Sequence, residues 1–167
     1  MKIDLRSPSR SDRQLLRRMM ELYLYDFSEY EDLDLDAHGL YGYGDLDYFW
    51  FESTHAAFII TVDAKLVGFV LVDNEVHIAG SERSISEFFV MRKYRRLGVG
   101  KHAAFEVFRR LPAAWEVRVV ASNEPAQRFW RTIIGEFMHG RFQETHLDSD
   151  EWNGPTFTFN NSEADAT

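Results

Sequence analysis

Cysteine is absent from the 167 residues of this chain, and its absence excludes several kinds of site. Without cysteine there is no disulfide framework, no thiolate metal site and no thiol nucleophile. No apolar run approaches the ~18–20 residues needed to span a bilayer, and the amino terminus lacks the apolar core of a signal peptide. We therefore expect a soluble, cytoplasmic protein that does not interact with membranes.

Clustered histidine and a basic surface are also lacking. None of the six histidines has another histidine at His-x-x-x-His spacing, so the sequence predicts no metal site. The net charge is −8, whereas nucleic-acid-binding surfaces are usually basic, so we expect no nucleic-acid partner. No repeat, linker or low-complexity block divides the chain. We expect a single domain over residues 1–160 and a disordered tail over 161–167.

Two segments of the chain each carry charge of almost one sign. No Lys or Arg occurs from residue 19 to 64, where eleven acidic residues fall. Residues 92–110 carry seven Lys or Arg and one acid, Glu106. This separation suits a protein that brings a cationic group to an anionic one, although acidic loops are more often simply solvated.

The most informative stretch begins with a short apolar run at residues 87–91, followed by a basic turn and an amphipathic helix. The N–H groups of a first helical turn have no intrahelical partner, and the helix dipole adds partial positive charge there. Gly98 and Gly100 let a ligand approach the backbone because neither has a Cβ atom. The sequence therefore predicts a phosphate-binding turn, with charge supplied by Arg92, Lys93, Arg95, Arg96 and Lys101.

Two common phosphate-binding loops do not fit this turn. A P-loop requires Ser or Thr after Gly-Lys, but His102 follows Lys101 here. The dinucleotide fingerprint requires three glycines near the start of a βαβ domain, whereas this turn has two and lies past the middle of the chain.

Residues 95–100, Arg-Arg-Leu-Gly-Val-Gly, resemble the Gln/Arg-x-x-Gly-x-Gly/Ala motif of the GNAT acetyltransferase superfamily. Within residues 123–130, an asparagine, an alanine and a tryptophan fall at the spacing of the family's Asn-x-x-Ala-x-x-x-Tyr helix. Residues 135–137, Gly-Glu-Phe, resemble its closing Gly-Phe strand entry. The resemblance covers residues 1–160.

The resemblance implies an α+β (α/β sandwich) GNAT-like fold, with a central, mostly antiparallel mixed sheet of six to seven strands flanked by about four helices. The residue patterns are compatible with that fold. They predict strands at 3–8, 56–62, 65–72, 84–91, 115–121, 135–142 and 156–159, and helices at 11–30, 45–52, 98–110 and 123–134. Gly68 interrupts the third strand and predicts a bulge or a close backbone approach.

The resemblance further implies acetyl-CoA as co-substrate, an amine as acceptor and a homodimer paired through the last strands. The fourth and fifth strands would splay near Val90, where main-chain groups of Val90 and Arg92 would bind the pantetheine arm. Main-chain N–H groups from residue 95 to 101 would hold the pyrophosphate. The implied cofactor-binding residues are Val90, Met91, Arg92, Arg95, Arg96, Leu97, Gly98, Val99, Gly100, Lys101, Asn123 and Trp130.

Glu87 is the candidate general base. Strand alternation places it on the side of Phe89 and opposite Phe88 and Val90, where desolvation would raise its pKa. The alternative is a purely structural carboxylate. By resemblance, Asp26, Glu29 and Tyr30 lie in the region that overhangs the acceptor and would help to select it.

The family's general acid is a tyrosine at the position that Trp130 occupies here. An indole N–H cannot usefully give its proton to a thiolate, so that role cannot be transferred. The sequence thus predicts an N-acetyltransferase in which a primary amine attacks acetyl-CoA directly in a ternary complex. The acceptor is a small cationic amine or a peptide amine. The alternative, supported by Trp130, is a CoA-sensing or interaction domain that has lost catalysis.

Overall fold

The structure, a computed structural model, describes residues 1–162 as one seven-stranded sheet with helices on both faces. The strand order is β1-β2-β3-β4-β5-β7-β6. The strands are β1 (Ile3–Arg6), β2 (Ala56–Val62), β3 (Lys65–Asp73), β4 (Arg83–Val90), β5 (Ala114–Arg118), β6 (Gln143–Asp148) and β7 (Asn153–Asn160). The helices are α1 (Arg13–Phe27), α2 (Tyr48–Phe51), α3 (Val99–Arg110) and α4 (Glu124–Phe137).

All neighbouring strands pair antiparallel except β4 and β5, which are parallel. The predicted mixed sheet with about four helices is therefore confirmed. No helix within residues 1–162 is both long and apolar enough to cross a membrane.

The sheet separates two apolar layers. On one face, α3 and α4 pack on side chains such as Val70 and Val72. On the other face, α1 and α2 pack on Phe69 and Leu71. Because both faces of β3 are covered, its sequence is an almost continuous apolar run rather than an alternating one.

Gly68 lies where β3 approaches β4 most closely. A Cβ atom on Gly68 would lie 2.0 Å from the carbonyl oxygen of Phe89. The register between β2 and β3 also shifts opposite Gly68, between Ile60 and Thr61. The predicted close approach and bulge at this glycine are both confirmed.

Among residues 1–162 the only parallel pairing, between β4 and β5, is short. It consists of Arg83 with Trp115 and Ser84 with Glu116. From Ile85 onward β4 pairs only with β3, so β4 and β5 splay apart. The predicted splay is present, but it begins after Ser84, near the start of β4, rather than near Val90.

The predicted strand at 135–142 is wrong, and the residues 135–137 are the last turn of α4. Ile133, Ile134 and Met138 are buried and continue the helical spacing of Trp130, so burial favours extending the helix. The chain leaves the helix at His139 and Gly140, whose φ angles are 52° and 81°. β6 begins only at Gln143.

Other predicted boundaries shift by a few residues. β1 ends at Arg6 and α1 at Phe27, while α2 is reduced to four residues. The chain also remains ordered beyond residue 160. The Asn161 side chain donates to the Phe108 carbonyl at 2.7 Å and accepts from the Ala113 N–H at 2.9 Å. Asn161 is therefore held by hydrogen bonds to the fold, whereas residues 163–167 of the tail predicted over 161–167 lie outside the described residues.

Candidate active site

The turn between β4 and α3 presents a row of backbone donors. Arg96 and Gly98 have φ angles of 62° and 81°, and Gly98 is the N-cap of the twelve-residue helix α3. Within residues 1–162, the backbone N–H groups of residues 96–101 donate no hydrogen bond. Unpartnered donors at the positive end of a helix dipole form a site for an anion such as a pyrophosphate.

Most basic side chains around this turn are already paired with acids. Arg92 Nε donates to Asp26 Oδ1 at 2.7 Å, and Arg95 donates to the other oxygen of Asp26. Lys101 forms an ion pair with Glu136 of α4. Arg96 forms no ion pair within the described part of the chain. Asp26 therefore contacts the phosphate-binding turn, whereas the sequence predicted a contact with the acceptor.

Backbone groups at the end of β4 also form hydrogen bonds with other parts of the protein. Arg95 Nε donates to the Val90 carbonyl oxygen at 2.7 Å, and the Met91 N–H donates to Val67 at 2.8 Å. The Val90 carbonyl can pair with an extended ligand only if Arg95 moves. The sequence did not indicate this hydrogen bond between Arg95 and Val90.

The start of α3 is shaped by packing as well as by the anion site. Val99 is fully buried, while Leu97 is exposed. A Cβ atom on Gly100 would lie 3.1 Å from the Phe129 ring of α4. The second glycine of the motif therefore lets α3 pack closely on α4 while its N–H remains unpartnered.

Two residues predicted to contact the cofactor have structural roles here. Asn123 is the N-cap of α4, and its Oδ1 accepts from the Ala126 N–H at 3.1 Å. Trp130 is buried in the core, with its ring centroid 4.9 Å from that of Phe88 and 5.0 Å from that of Phe129. The structure thus places Trp130 in the core, where the sequence predicted a cofactor contact.

Glu87 lies on the α1 side of β4, as alternation predicts. A register shift between Leu71 and Val72 leaves Ser86 unpaired and pairs Glu87 with Leu71. The Tyr43 hydroxyl donates to Glu87 Oε1 at 3.0 Å, and Tyr23 lies on the same side of the sheet. Burial raises the pKa of Glu87 to about 7, against the opposing effect of hydrogen bonding to Tyr23 and Tyr43.

Several polar neighbours of Glu87 could not be found from the sequence. Tyr43 lies in a segment without periodicity, so nothing in the sequence links it to β4. Asp73 at the end of β3 also raises the pKa of Glu87 through its charge. The Asp73 carboxylate accepts from Ser84 Oγ at 2.7 Å and from the Glu75 N–H at 3.1 Å.

The carboxyl end of α1 borders the same region. Glu29 is exposed, and the Tyr30 carbonyl accepts from Ser122 Oγ at 2.9 Å, which ties α1 to the loop after β5. A cavity of about 250 Å³ lies between α1 and residues 40–46 and is lined in part by Tyr43. A larger cavity of about 570 Å³, at the opposite end of β5, contains neither Glu87 nor the anion-binding turn. We therefore locate the site at the splay of β4 and β5.

Comparison with models of known protein families identifies the family of this chain. The model described as "Acetyltransferase (GNAT) family" matches residues 16–135.

This chain belongs to the GNAT acetyltransferase family.

Solved structures show the same GNAT fold. An acetyltransferase from Thermus thermophilus superposes with a TM-score of 0.67 at 18% identity, covering 95% of this chain and 96% of that one. Spermidine N-acetyltransferase from Vibrio cholerae, solved with CoA and spermine, gives 0.64 at 13% identity, with 96% of each chain covered. PaiA N-acetyltransferase from Thermoplasma acidophilum, solved with coenzyme A, gives 0.63 at 14% identity, covering 96% and 99%. A search of curated protein sequences found no match.

Proposed function

We propose that this GNAT protein is an acetyl-CoA-dependent N-acetyltransferase that acts on a primary amine by direct attack in a ternary complex. One observation carries the proposal. Glu87, with its pKa raised to about 7, lies beside the gap between β4 and β5 on the strand that leads into the anion-binding turn. An ionisable group near neutral pH next to a phosphate site is what this reaction requires.

The residues present fit acetyl-CoA, which would supply an activated acetyl thioester. The free N–H groups of residues 96–101 would hold its pyrophosphate, and Arg96 would add charge. The unpaired edges of β4 and β5 would accept the extended pantetheine arm once Arg95 leaves the Val90 carbonyl.

Glu87 would act as the general base. A carboxylate with a pKa near 7 is partly ionised at neutral pH, and it can take a proton from the attacking amine directly or through water. Tyr43 holds one carboxylate oxygen. Hydrogen bonding to Tyr23 also acts on this carboxylate and, like the bond from Tyr43, favours its ionised form.

No side chain of this site is assigned as the general acid. Trp130 lies in the core and cannot donate to a leaving thiolate. The pKa of a thiol is about 8.5, so the thiolate can leave without assistance at modest cost. The buried Trp130 is also the observation that favours a second candidate, a CoA-binding interaction domain without catalysis.

The first experiment is calorimetric titration of the protein with acetyl-CoA and with CoA. We expect micromolar binding that the double variant Arg95→Ala/Arg96→Ala loses. Arg17→Ala/Arg18→Ala, which removes two exposed arginines from α1, is the matched control. Absence of binding to the wild type would exclude both candidate functions.

A screen of primary amines with detection of free CoA thiol then separates the two candidates. Turnover that Glu87→Gln slows, with unchanged cofactor affinity, supports the enzyme. Cofactor binding without turnover of any amine supports the interaction domain.

A further inference from the structure

We propose that the acceptor carries a carboxylate close to its reactive amine, and that Arg118, Trp152 and Thr156 bind this carboxylate opposite Glu87. The proposal rests on the proposed acetyltransferase function and names the class of acceptor, an amino acid or a related zwitterion.

Strand registers place Arg118 across the splay from Glu87. Ser84 and Glu116 form the last β4–β5 pair, and Arg118 lies two residues further along β5. Val117 and Val119 face the α3 side, so alternation turns Arg118 to the opposite face, which is also the face of Glu87. Neighbouring strands lie about 5 Å apart where they pair, and further apart beyond a splay. The two side chains therefore border one gap from opposite walls.

The Arg118 guanidinium is fixed but only partly used. Its Nη1 atom donates to Glu116 Oε1 at 2.8 Å and to the Glu75 carbonyl at 2.8 Å, and lies 2.6 Å from His77 Nδ1. Within residues 1–162, its Nε and Nη2 atoms donate no hydrogen bond. These two groups form the edge of a guanidinium that binds a carboxylate with two parallel hydrogen bonds.

Two further polar groups without partners lie beside Arg118. Thr156 pairs with Arg118 across β5 and β7, and its hydroxyl is buried without a hydrogen bond. Trp152 has its ring centroid 5.3 Å from the Arg118 guanidinium, and its indole N–H is likewise buried and unpaired. Thr156 is 0% exposed, so its unpaired hydroxyl has no solvent to compensate it. Such groups are rare in folded proteins, because a buried polar group that stays unpaired destabilises the fold.

Because the Thr156 hydroxyl and the Trp152 N–H are buried, a ligand would reach them only if the turn between β6 and β7 moved outward. That turn carries Trp152, and its residues 149–151 are exposed. The occupant should carry a single delocalised negative charge. Glu116 is buried against Arg118, and Glu151 lies nearby at His77, so the charge of Arg118 is largely offset and a phosphate dianion would be repelled more strongly than a carboxylate.

The test compares matched acceptors. Initial rates are measured at saturating acetyl-CoA for α- to δ-amino acids, for the corresponding amines that lack the carboxylate, and for O-phosphoethanolamine. We expect at least one amino acid to exceed its decarboxylated counterpart in kcat/KM by about tenfold or more, since hydrogen bonds to a charged group are the strong ones.

Three conservative variants test the assignment to these residues. Arg118→Lys keeps the charge and loses the two-donor edge, Thr156→Val keeps the shape and loses the hydroxyl, and Trp152→Phe keeps the ring and loses the N–H. Each should reduce the ratio of kcat/KM between an amino acid and its matched amine, by about tenfold for Arg118→Lys and about threefold for the other two. The loss should appear in KM for the amino acid. A purely structural role would change both acceptors equally.

The outcomes separate this inference from the proposed function. The carboxylate site is overturned if amino acids and matched amines turn over equally, or if O-phosphoethanolamine is preferred. Either result leaves the proposed acetyltransferase function standing. An unchanged ratio in Thr156→Val and Trp152→Phe indicates that water satisfies these groups and also overturns it. If no amine turns over, amino acids are titrated calorimetrically into the CoA-saturated and the free protein. Absence of binding to both overturns the proposal, and binding that Arg118→Lys weakens supports it.

Discussion

The hydroxyl group of Tyr43 donates a hydrogen bond of 3.0 Å to Glu87 Oε1. Tyr43 comes from the segment between α1 and α2, whereas Glu87 comes from the middle of β4. This hydrogen bond favours the ionised carboxylate, whereas burial disfavours it. Burial has the larger effect, and the pKa of Glu87 is raised to about 7. Burial and the nearby Glu87 charge raise the pKa of Tyr43, so its hydroxyl stays protonated and remains a donor. The segment between α1 and α2 therefore also sets the pKa of Glu87.

The first prediction concerns Glu87 and pH. If Glu87 is the base, kcat/KM should rise with pH as the carboxylate loses its proton, with a midpoint near 7. The glutamine of Glu87→Gln cannot accept a proton or titrate. We therefore expect kcat/KM to fall by a factor of about 10²–10³ and its rise with pH near 7, the rising limb of the pH–rate profile, to disappear. The measurement is a rate profile from about pH 5.5 to 9, with an acceptor whose amine does not titrate in that range.

Glu75→Gln is the control, because Glu75 is an exposed carboxylate close to Asp73 at the end of β3. It should leave the pH profile unchanged. A Glu87→Gln enzyme that keeps the limb near pH 7 would show that another group is the base.

The second prediction concerns Tyr43→Phe. This change removes a hydrogen bond that lowers the pKa of Glu87. The pKa of Glu87 therefore rises, and the rising part of the pH–rate profile moves to higher pH. A hydrogen bond to a charged group corresponds to a shift of about one to two units. The same rate profile measures the shift, and Tyr25→Phe, at an exposed tyrosine of α1, serves as control. A shift to lower pH would contradict the assigned role of Tyr43.

Features that depend on neighbouring residues could be predicted from the sequence. The side of β4 on which Glu87 lies follows from strand alternation, and the turn with unpartnered N–H groups before α3 follows from two glycines ahead of an amphipathic helix. The close approach at Gly68 follows from a glycine within an apolar strand. Each of these depends on local conformation, which spacing and residue type largely determine.

Features that depend on distant residues could not be predicted. Asp26 and Arg95 are 69 positions apart, and no spacing rule indicates that the acid neutralises the turn. The β4–β5 pairing ends at Ser84 because of how two strands diverge in space, which neither strand's sequence encodes alone. The predicted end of α4 is wrong because Gly135 resembles a family strand entry, whereas the apolar spacing of Ile134 and Met138 continues the helix.

The third prediction concerns the ion pairs of Asp26 with Arg92 and Arg95. Asp26→Asn removes a negative charge next to the anion-binding turn, so both arginines become available to phosphate. We expect the Kd for CoA to fall by about two- to fivefold at low salt and by less at high salt, because exposed charges are screened. Calorimetry at two ionic strengths measures this, with the exposed Glu29→Gln as control. Weaker binding by Asp26→Asn would show instead that Asp26 holds the arginines in their binding geometry.

The fourth prediction concerns Gly68. A methyl group at this position would lie 2.0 Å from the Phe89 carbonyl oxygen, which is backbone and cannot rotate away. Gly68→Ala should therefore lower the free energy of unfolding by about 3 kcal/mol or more. Gly44→Ala, at a glycine with no heavy atom within 4 Å of the added methyl, should change it by less than about 0.5 kcal/mol. Urea unfolding of both variants is the measurement, and equal stabilities would exclude the close approach.

The fifth prediction concerns Trp130, which occupies the position of the family's catalytic tyrosine. Its ring packs on Phe88 and Phe129 and is 5% exposed. Trp130→Tyr would leave unfilled volume and bury a hydroxyl among aromatic rings, so we expect a loss of about 1–3 kcal/mol in unfolding free energy and no gain in kcat. Trp130→Phe makes the same cavity without the hydroxyl and is the matched control. Unfolding and kcat are measured for both variants. If Trp130→Tyr raised kcat and Trp130→Phe did not, the new hydroxyl would reach the leaving thiolate, and position 130 would border the cleft instead of the core.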